Sequence, residues 1–266
     1  MNIAIVGYGK MGKIVEKAAG ERGHRIALVI DPFASAEGAS GVSFYKTVAE
    51  ADLAGADVAV EFSRPDAAAD NIKALAARGV PVVSGTTGWY GRMDEVAEAV
   101  RAAGSSLLWA PNFSLGVNIF YRIAFNAASL IDPFDEYDAG GFEAHHNKKA
   151  DSPSGTAKTL AGGIIKRMKR KTTPVYETLA RPPSPEEFHF PSLRLGAMPG
   201  THAVIFDSLS DTIEIRHTAR GREGFAAGAL AAAQWLVNCP GPGEGAGEAR
   251  RGIFTMDDIL DGLGVE

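Results

Sequence analysis

The chain begins with a short apolar run, residues 2–6, that passes straight into the turn GYGKMG and a helical pattern over residues 11–22. A second apolar run follows at residues 25–30. Strand, glycine turn, helix, strand is the outline of a βαβ crossover, the connection two parallel strands require. The alternation then repeats. Residues 57–62 (DVAVEF) read as a strand, and 65–78 as a helix with Pro65 in its first turn. Residues 80–84 (VPVVS) read as a strand, 91–103 as a helix and 105–109 as a strand. Parallel strands are covered on both faces, so they appear as unbroken apolar runs, as these do. The expected fold class is α/β, with a Rossmann-like, doubly wound parallel sheet.

After Asn112 the pattern changes. Residues 117–130 form an amphipathic helical pattern. Strand-like stretches follow at 137–144, 192–195, 202–208 and 212–218, interrupted by one helical stretch at 156–171. Strands joined by short turns such as PGTH and LSDT predict a second α+β domain with a mixed or antiparallel sheet. The proline-rich segment 181–192 reads as an irregular loop, 223–237 as an Ala-rich helix, 241–249 (GPGEGAGEA) as a flexible insert, and FTMDDIL as a short helix. The last helix and tail are expected to return to the first half. A discontinuous dinucleotide-binding domain would then comprise 1–113 and 221–266, with a substrate-binding and oligomerisation domain at 114–220 between them.

A net charge of -5 argues against general nucleic-acid binding, which needs a surplus of Lys and Arg on one face. No apolar run approaches the length of a membrane span, and the N-terminus lacks the pattern of a signal peptide. With Cys239 the only cysteine, no internal disulfide can form. A cytoplasmic protein is expected. His24, His189, His202 and His217 are scattered along the sequence, and no H-E-x-x-H or C-x-x-C is present, so no metal site is expected.

GYGKMG fits G-x-G-x-x-G, and it stands between a strand and a helix, the context that gives this weak motif weight. Gly7 permits the tight turn, Gly9 lets backbone approach a pyrophosphate, and Gly12 lets helix and strand pack closely. The helix N-terminus offers free amides to phosphate. Asp31, at the end of the second strand, is placed to accept hydrogen bonds from ribose hydroxyls and to repel a 2′-phosphate. NADH is therefore the expected cofactor, with NADPH as the alternative. Ligands in such sheets lie beyond the carboxyl ends of the strands. SGTTG and WAPNF stand there, so Gly85, Thr86 and Thr87 are candidates for the nicotinamide or its ribose, and Phe62 and Phe113 for its ring.

The densest chemistry lies in EAHHNKKADSPSGTA, residues 143–157. Adjacent strand residues point to opposite faces, so His145 and His146 should not share one task. Ser152 is read as an N-cap and Pro153 as the first helical residue, which would place Gly155 and Thr156 in a first turn able to hold a carboxylate. Two histidines, lysines and a helix start point together to an anionic ligand.

These runs, with EFS, SGTTG, APNFSLGVN, PGTHAVIF and IEIRHTARGREGFAAGAL, resemble the 4-hydroxy-tetrahydrodipicolinate reductase (dihydrodipicolinate reductase) family over nearly the whole chain. The resemblance implies reduction of a small cyclic dicarboxylate by NAD(P)H in diaminopimelate and lysine biosynthesis. It implies His145 as general acid, Lys149 as a second proton donor, and His146, Gly155 and Thr156 as substrate contacts. It also implies cofactor contacts at Gly7, Tyr8, Gly9, Lys10, Met11 and Gly12, at Gly85 to Thr87, and at Ala110, Pro111, Asn112 and Phe113. Homotetramers through the second sheet are implied too. Because the two halves must close to bring nicotinamide and substrate together, hinges are expected near residues 113–114 and 220–221. The glycine turn here is one residue shorter than is common in the family, with Lys10 where arginine is usual. Another NAD-dependent reductase of a small dicarboxylate would share the first half but leave the His-His-Lys run unexplained. A non-catalytic NAD-sensing module would need no proton donors.

Overall fold

The computed structural model describes residues 1–34, 42–237 and 250–262. Cys239 and the 241–249 insert lie outside them. Two compact units emerge, Met1–Ser114 with Arg222–Glu266, and Leu115–Gly221.

The first unit starts β1 (Asn2–Val6), α1 (Lys10–Glu21), β2 (Arg25–Ile30), β3 (Ser43–Tyr45), β4 (Val58–Glu61), α2 (Pro65–Ala77), β5 (Val82–Ser84), α3 (Met93–Ala102) and β6 (Ser106–Trp109). Helix α2 starts where its sequence says, with Pro65 at the first position and Asp66 in the first turn, where a carboxylate meets the positive helix end. The expected helix 91–103 is split. A 3-10 turn spans Tyr90–Arg92, and the α-helix begins at Met93.

The second unit contains α4 (Leu115–Ile131), β7 (Asp138–His145), α5 (Gly155–Ile165), β8 (Thr173–Val175), β9 (Glu187–His189), β10 (Ser192–Arg194), β11 (Thr201–Asp207) and β12 (Thr212–Thr218). Its main sheet has the order β10-β7-β11-β12, and β8 and β9 form a separate parallel pair. Strand β10 runs parallel to β7, while β7, β11 and β12 are antiparallel. Ala139, Val204 and Phe206 pack from this sheet into one core with Phe120 and Ala124 of α4 and Ala157 and Leu160 of α5.

The chain then returns to the first unit with α6 (Glu223–Leu236), β13 (Gly252–Phe254) and α7 (Met256–Gly262). The completed sheet is wholly parallel, in the order β13-β6-β5-β4-β1-β2-β3. Among the described residues, no helix is long and apolar enough to cross a membrane.

Three local expectations are corrected. The helix expected over 156–171 ends at Ile165. Its apolar pattern runs on to the buried Met168, but the Lys171 ammonium is drawn inward to Asp138 at 2.5 Å and the Glu187 carbonyl at 2.9 Å. The segment 181–192 is not wholly irregular. It contains β9, whose Phe188 is fully buried next to Phe190 in the core. Ser154, rather than Ser152, caps α5, because its hydroxyl accepts the Ala157 amide at 3.1 Å, and Pro153 precedes the helix.

Candidate functional site

In the first unit the glycine turn and three strand ends converge. Gly7 turns the chain at φ +89° and donates its amide to Ile30 O at 2.9 Å. Gly9 caps α1 in an extended conformation with no side-chain partner, so the first-turn amides are left for another acceptor. A Cβ at Gly12 would lie 2.3 Å from the Gly7 carbonyl oxygen, so only glycine lets α1 sit against the turn. A Cβ at Gly9 would meet no atom within 4 Å. Packing therefore does not account for a glycine there, whereas close approach of a ligand would.

Asp31 is less free than the sequence suggests. Its Oδ2 accepts the Tyr8 amide at 2.7 Å, and its Oδ1 accepts the amides of Phe33 and Ala34 at 2.8 and 3.1 Å. The carboxylate thus ties the glycine turn to the end of β2. Tyr8 is held as well. Its hydroxyl donates to Glu16, and its ring meets the edge of Phe44 and lies 5.7 Å from the Lys13 ammonium. Burial, then the bond to Glu16, pushes the Tyr8 phenol up to about 12. Lys10 is exposed at the start of α1.

A cavity of about 240 Å³ lies beyond the carboxyl ends of β4, β5 and β6. Met11, Phe62, Gly85, Ala110, Pro111, Asn112 and Phe113 line it, with Arg222 and Phe225 from the start of α6. Phe62 and Phe113 meet edge to face at 6.2 Å. Behind this wall Glu61 is fully buried. It accepts hydrogen bonds from the hydroxyls of Ser84 at 2.5 Å, Thr86 at 2.8 Å and Ser63, and from the Ser63 amide at 2.8 Å. The Thr86 hydroxyl is therefore committed to Glu61, and the Thr86 carbonyl accepts the Trp89 indole N–H at 2.8 Å. With its proton given to Glu61, the Thr86 hydroxyl can meet a ligand only as an acceptor. Thr87 stays exposed.

The second unit gathers its polar groups at the C-terminal end of β7. Glu143 and His145, two residues apart, point to the same face. The register sets His202 of β11 opposite Glu143, and Ser192 and Arg194 of β10 beside Glu143 and His145. Glu143 is fully buried, and its Oε1 accepts the Ser154 amide at 3.0 Å, the Ser192 hydroxyl at 2.6 Å and the Arg194 guanidinium at 3.3 Å. Its Oε2 faces His202 Nε2 at 3.3 Å and His145 Nδ1 at 3.5 Å. The Ser154 hydroxyl lies 3.2 Å from His202 Nε2. Burial favours the neutral acid, but hydrogen bonds from His202, Ser154 and Ser192 outweigh it and hold the Glu143 carboxyl well below the usual range. The His145 imidazole is lowered to about 4. Burial is the main cause. The pull of Glu143 in the other direction is offset by the positive charge of His202, Lys149 and Arg194.

His202 is therefore not scattered, as the sequence suggested. Glu143, His145 and His202 each present a ligand-type atom, all within 4.8 Å of one another. Arg194 already places a positive charge on this carboxylate, which opposes the entry of a dication. Outside the cluster, His146 is half-buried, Lys148 is exposed, and the Lys149 ammonium pairs with Asp151 at 2.7 Å. Gly155 is exposed and Thr156 half-buried in the first turn of α5.

Comparison with known proteins settles the family. The family model described as dihydrodipicolinate reductase, N-terminus, matches residues 1–113, and that for the C-terminus matches residues 116–260. The chain belongs to the dihydrodipicolinate reductase family. It is 36% identical over 264 residues to the 4-hydroxy-tetrahydrodipicolinate reductase of Christiangramia forsetii, covering 99% of both chains. It is 36% identical over 274 residues to that of Archaeoglobus fulgidus, covering 98% of this chain and all of the relative. In fold it is similar to a dipicolinate-bound dihydrodipicolinate reductase from Paenisporosarcina sp. TG-14, with a TM-score of 0.78 at 20% identity, covering 98% and 99% of the two chains.

Within this reductase family frame, the structure brings seven of the expected cofactor residues to one cavity, Met11, Phe62, Gly85 and Ala110 to Phe113. Arg222 and Phe225 were not foreseen there, although the run GREGF that carries them was part of the resemblance. Glu143 and His202 were missed as partners of His145. Two cues were available: the i, i+2 spacing of Glu143 and His145, and the alternation His202, Val204, Phe206 along β11.

The depressed His145 pKa makes stability depend on pH. On unfolding, the imidazole returns to an ordinary value near 6.5, so below that value the unfolded chain binds a proton that the folded chain takes up only near pH 4. Stability should therefore fall as pH drops from about 6.5 toward 4. Urea unfolding across that range should show a shallower pH slope for His145→Gln than for the wild type.

Proposed function

We propose that the chain reduces 4-hydroxy-tetrahydrodipicolinate to tetrahydrodipicolinate with NAD(P)H and a proton, the 4-hydroxyl leaving as water, in diaminopimelate and lysine biosynthesis. The observation that carries this reading is a buried histidine at a strand end, clustered with Arg194 and the Ser154 cap of α5 around Glu143, with the positive charge of Lys149 near enough to act on it. That arrangement suits a small dianion that must receive a proton. A relative of this fold is described as dipicolinate-bound, and dipicolinate is a ring bearing two carboxylates.

The first unit fits a dinucleotide. The uncapped start of α1 and the open space at Gly9 suit a pyrophosphate, and the cavity lined by Phe62, Gly85 and Phe113 suits a nicotinamide. When bound, the reduced cofactor supplies a hydride. The chain's own residues do the rest. The exposed amide end at Gly155 and the Thr156 hydroxyl would hold a substrate carboxylate, with His146 as a further substrate contact. Lys149 exchanges Asp151 for the second carboxylate, which leaves it placed as a further proton donor. A dianion beside His145 reverses the effect of burial and favours the imidazolium, which then protonates the carbon skeleton.

The test is NADH absorbance with the condensate of pyruvate and aspartate semialdehyde. The wild type should oxidise NADH, and His145→Gln should lower kcat by about a hundredfold or more while binding NADH normally. Near-normal turnover by that variant would remove His145 from the role of acid. Binding without turnover by the wild type would instead favour an NAD-sensing module.

NADH is the preferred cofactor in this reading, because the Asp31 carboxylate stands at the end of β2, where it disfavours a 2′-phosphate. Asp31→Asn keeps an acceptor for the Tyr8 amide and removes the charge. The ratio of kcat/KM for NADH over NADPH should fall about tenfold, and an unchanged ratio would show that Asp31 does not read the ribose.

The second unit would also carry the assembly. Leu193 stands exposed on its main sheet, and Arg216 lies over Phe142. A homotetramer formed through this sheet is expected from light scattering on the purified chain, and a monomeric mass would overturn it.

A further inference from the structure

Glu143 is unused by the reaction as drawn above, yet it is the group most fully enclosed beside His145. Its two oxygens do different work. Oε1 is anchored by Ser154, Ser192 and Arg194, and this aims Oε2 at the imidazoles of His145 and His202. The other edge of the His145 ring faces Gly200. Gly200 has φ +142°, and a Cβ there would lie 3.1 Å from His145 Nε2 and 3.3 Å from Cδ2. Any side chain at that position would cover Nε2, whereas glycine leaves it open.

We propose that Glu143 is a positioning residue for proton transfer, holding the His145 ring with Nδ1 toward Oε2 and Nε2 toward the substrate, and stabilising the imidazolium that forms there. The inference rests on His145 as the proton donor. In the step itself the Nε2–H bond breaks and a C–H bond forms at the substrate carbon made electron-rich by hydride addition. The N–H electron pair stays on the ring. The neutral imidazole that remains carries its proton on Nδ1, where Glu143 accepts it, so the ring is left in the right tautomer for reprotonation from solvent.

Several charged or titratable groups face this ring. Glu143 lies on its own strand, Arg194 on β10, His202 on β11 with His217 of β12 beyond it, and Lys149 with its partner Asp151 in the following loop. Glu143 raises the proton affinity of His145, while His202, Lys149 and Arg194 lower it. Removing the Glu143 charge therefore takes away the main protein group that favours the imidazolium.

The pH profile of kcat distinguishes this role from mere support of the fold. An acid catalyst loses activity as pH rises through its pKa. Glu143→Gln keeps an oxygen for Ser154 and Ser192 but carries no charge. Its basic limb should move down by about one pH unit, and kcat at neutral pH should fall about tenfold, with KM little changed. Glu143→Asp, which restores the charge at a longer distance, should lie between Glu143→Gln and the wild type. An unmoved limb, or a uniform loss of kcat at every pH, would overturn the proposal. His145→Gln is measured alongside. Normal turnover by that variant would dismiss His145 as the acid, whereas lost turnover with an unmoved Glu143→Gln limb would dismiss Glu143 alone. Should circular dichroism show Glu143→Gln unfolded, Glu143→Asp decides: a limb displaced downward supports the proposal and an unmoved one overturns it.

Discussion

Burying the Glu143 carboxylate obliges the surrounding chain to deliver donors to it. A carboxylate taken out of water costs several kcal/mol unless hydrogen bonds replace the lost solvent. Here the donors come from separate elements: Ser192 and Arg194 from β10, Ser154 from the start of α5, and His202 from β11. Ser192 and Arg194 on one side and His202 on the other can reach it because β7 lies between a parallel and an antiparallel neighbour. Strand order, helix start and the placement of His145 are thus coupled through one side chain. The same face of the sheet is apolar toward Ala139, Val204 and Phe206, so the polar cluster closes one end of a dry core.

The first unit uses the same device with different chemistry. Glu61, at the end of β4, collects hydroxyls from Ser63, Ser84 and Thr86, and so fastens the ends of neighbouring strands where the cavity opens. Asp31 fastens the glycine turn to the end of β2 through the Tyr8 amide. Loops at the carboxyl ends of parallel strands carry the ligand contacts, and such loops need to be preorganised to bind. A buried or half-buried carboxylate at the foot of each loop provides that order without occupying the ligand space itself.

Much of the fold could be read from local pattern. The strands at Arg25–Ile30 and Thr212–Thr218 stand where their runs place them, and α2 begins at Pro65. The short strands β3, β8, β9 and β13 were not read this way; three residues show no period of their own, and β5 and β10, just as short, were found only as parts of longer strand-like stretches. Apolar periodicity also overran the end of α5, because Met168 is a core residue outside the helix. At the site, the glycine turn, His145 and the helix start were visible in the sequence. Ser154 as the cap was obscured by Ser152 and Pro153, a plausible capping pair two residues early.

The sequence by itself determined the periods of its strands and helices, the glycine spacing that requires a close strand-to-helix turn, and the family to which the whole pattern belongs. Those are properties of neighbours along the chain, where backbone geometry and side-chain size act locally. Only the tertiary structure decided which polar groups are already engaged: Thr86 with Glu61, Asp31 with the glycine turn, and Glu143 with Ser154, Ser192 and Arg194. Such pairings follow from register between strands distant in sequence. Register is set by the packing of a whole sheet face, which no single stretch of residues contains.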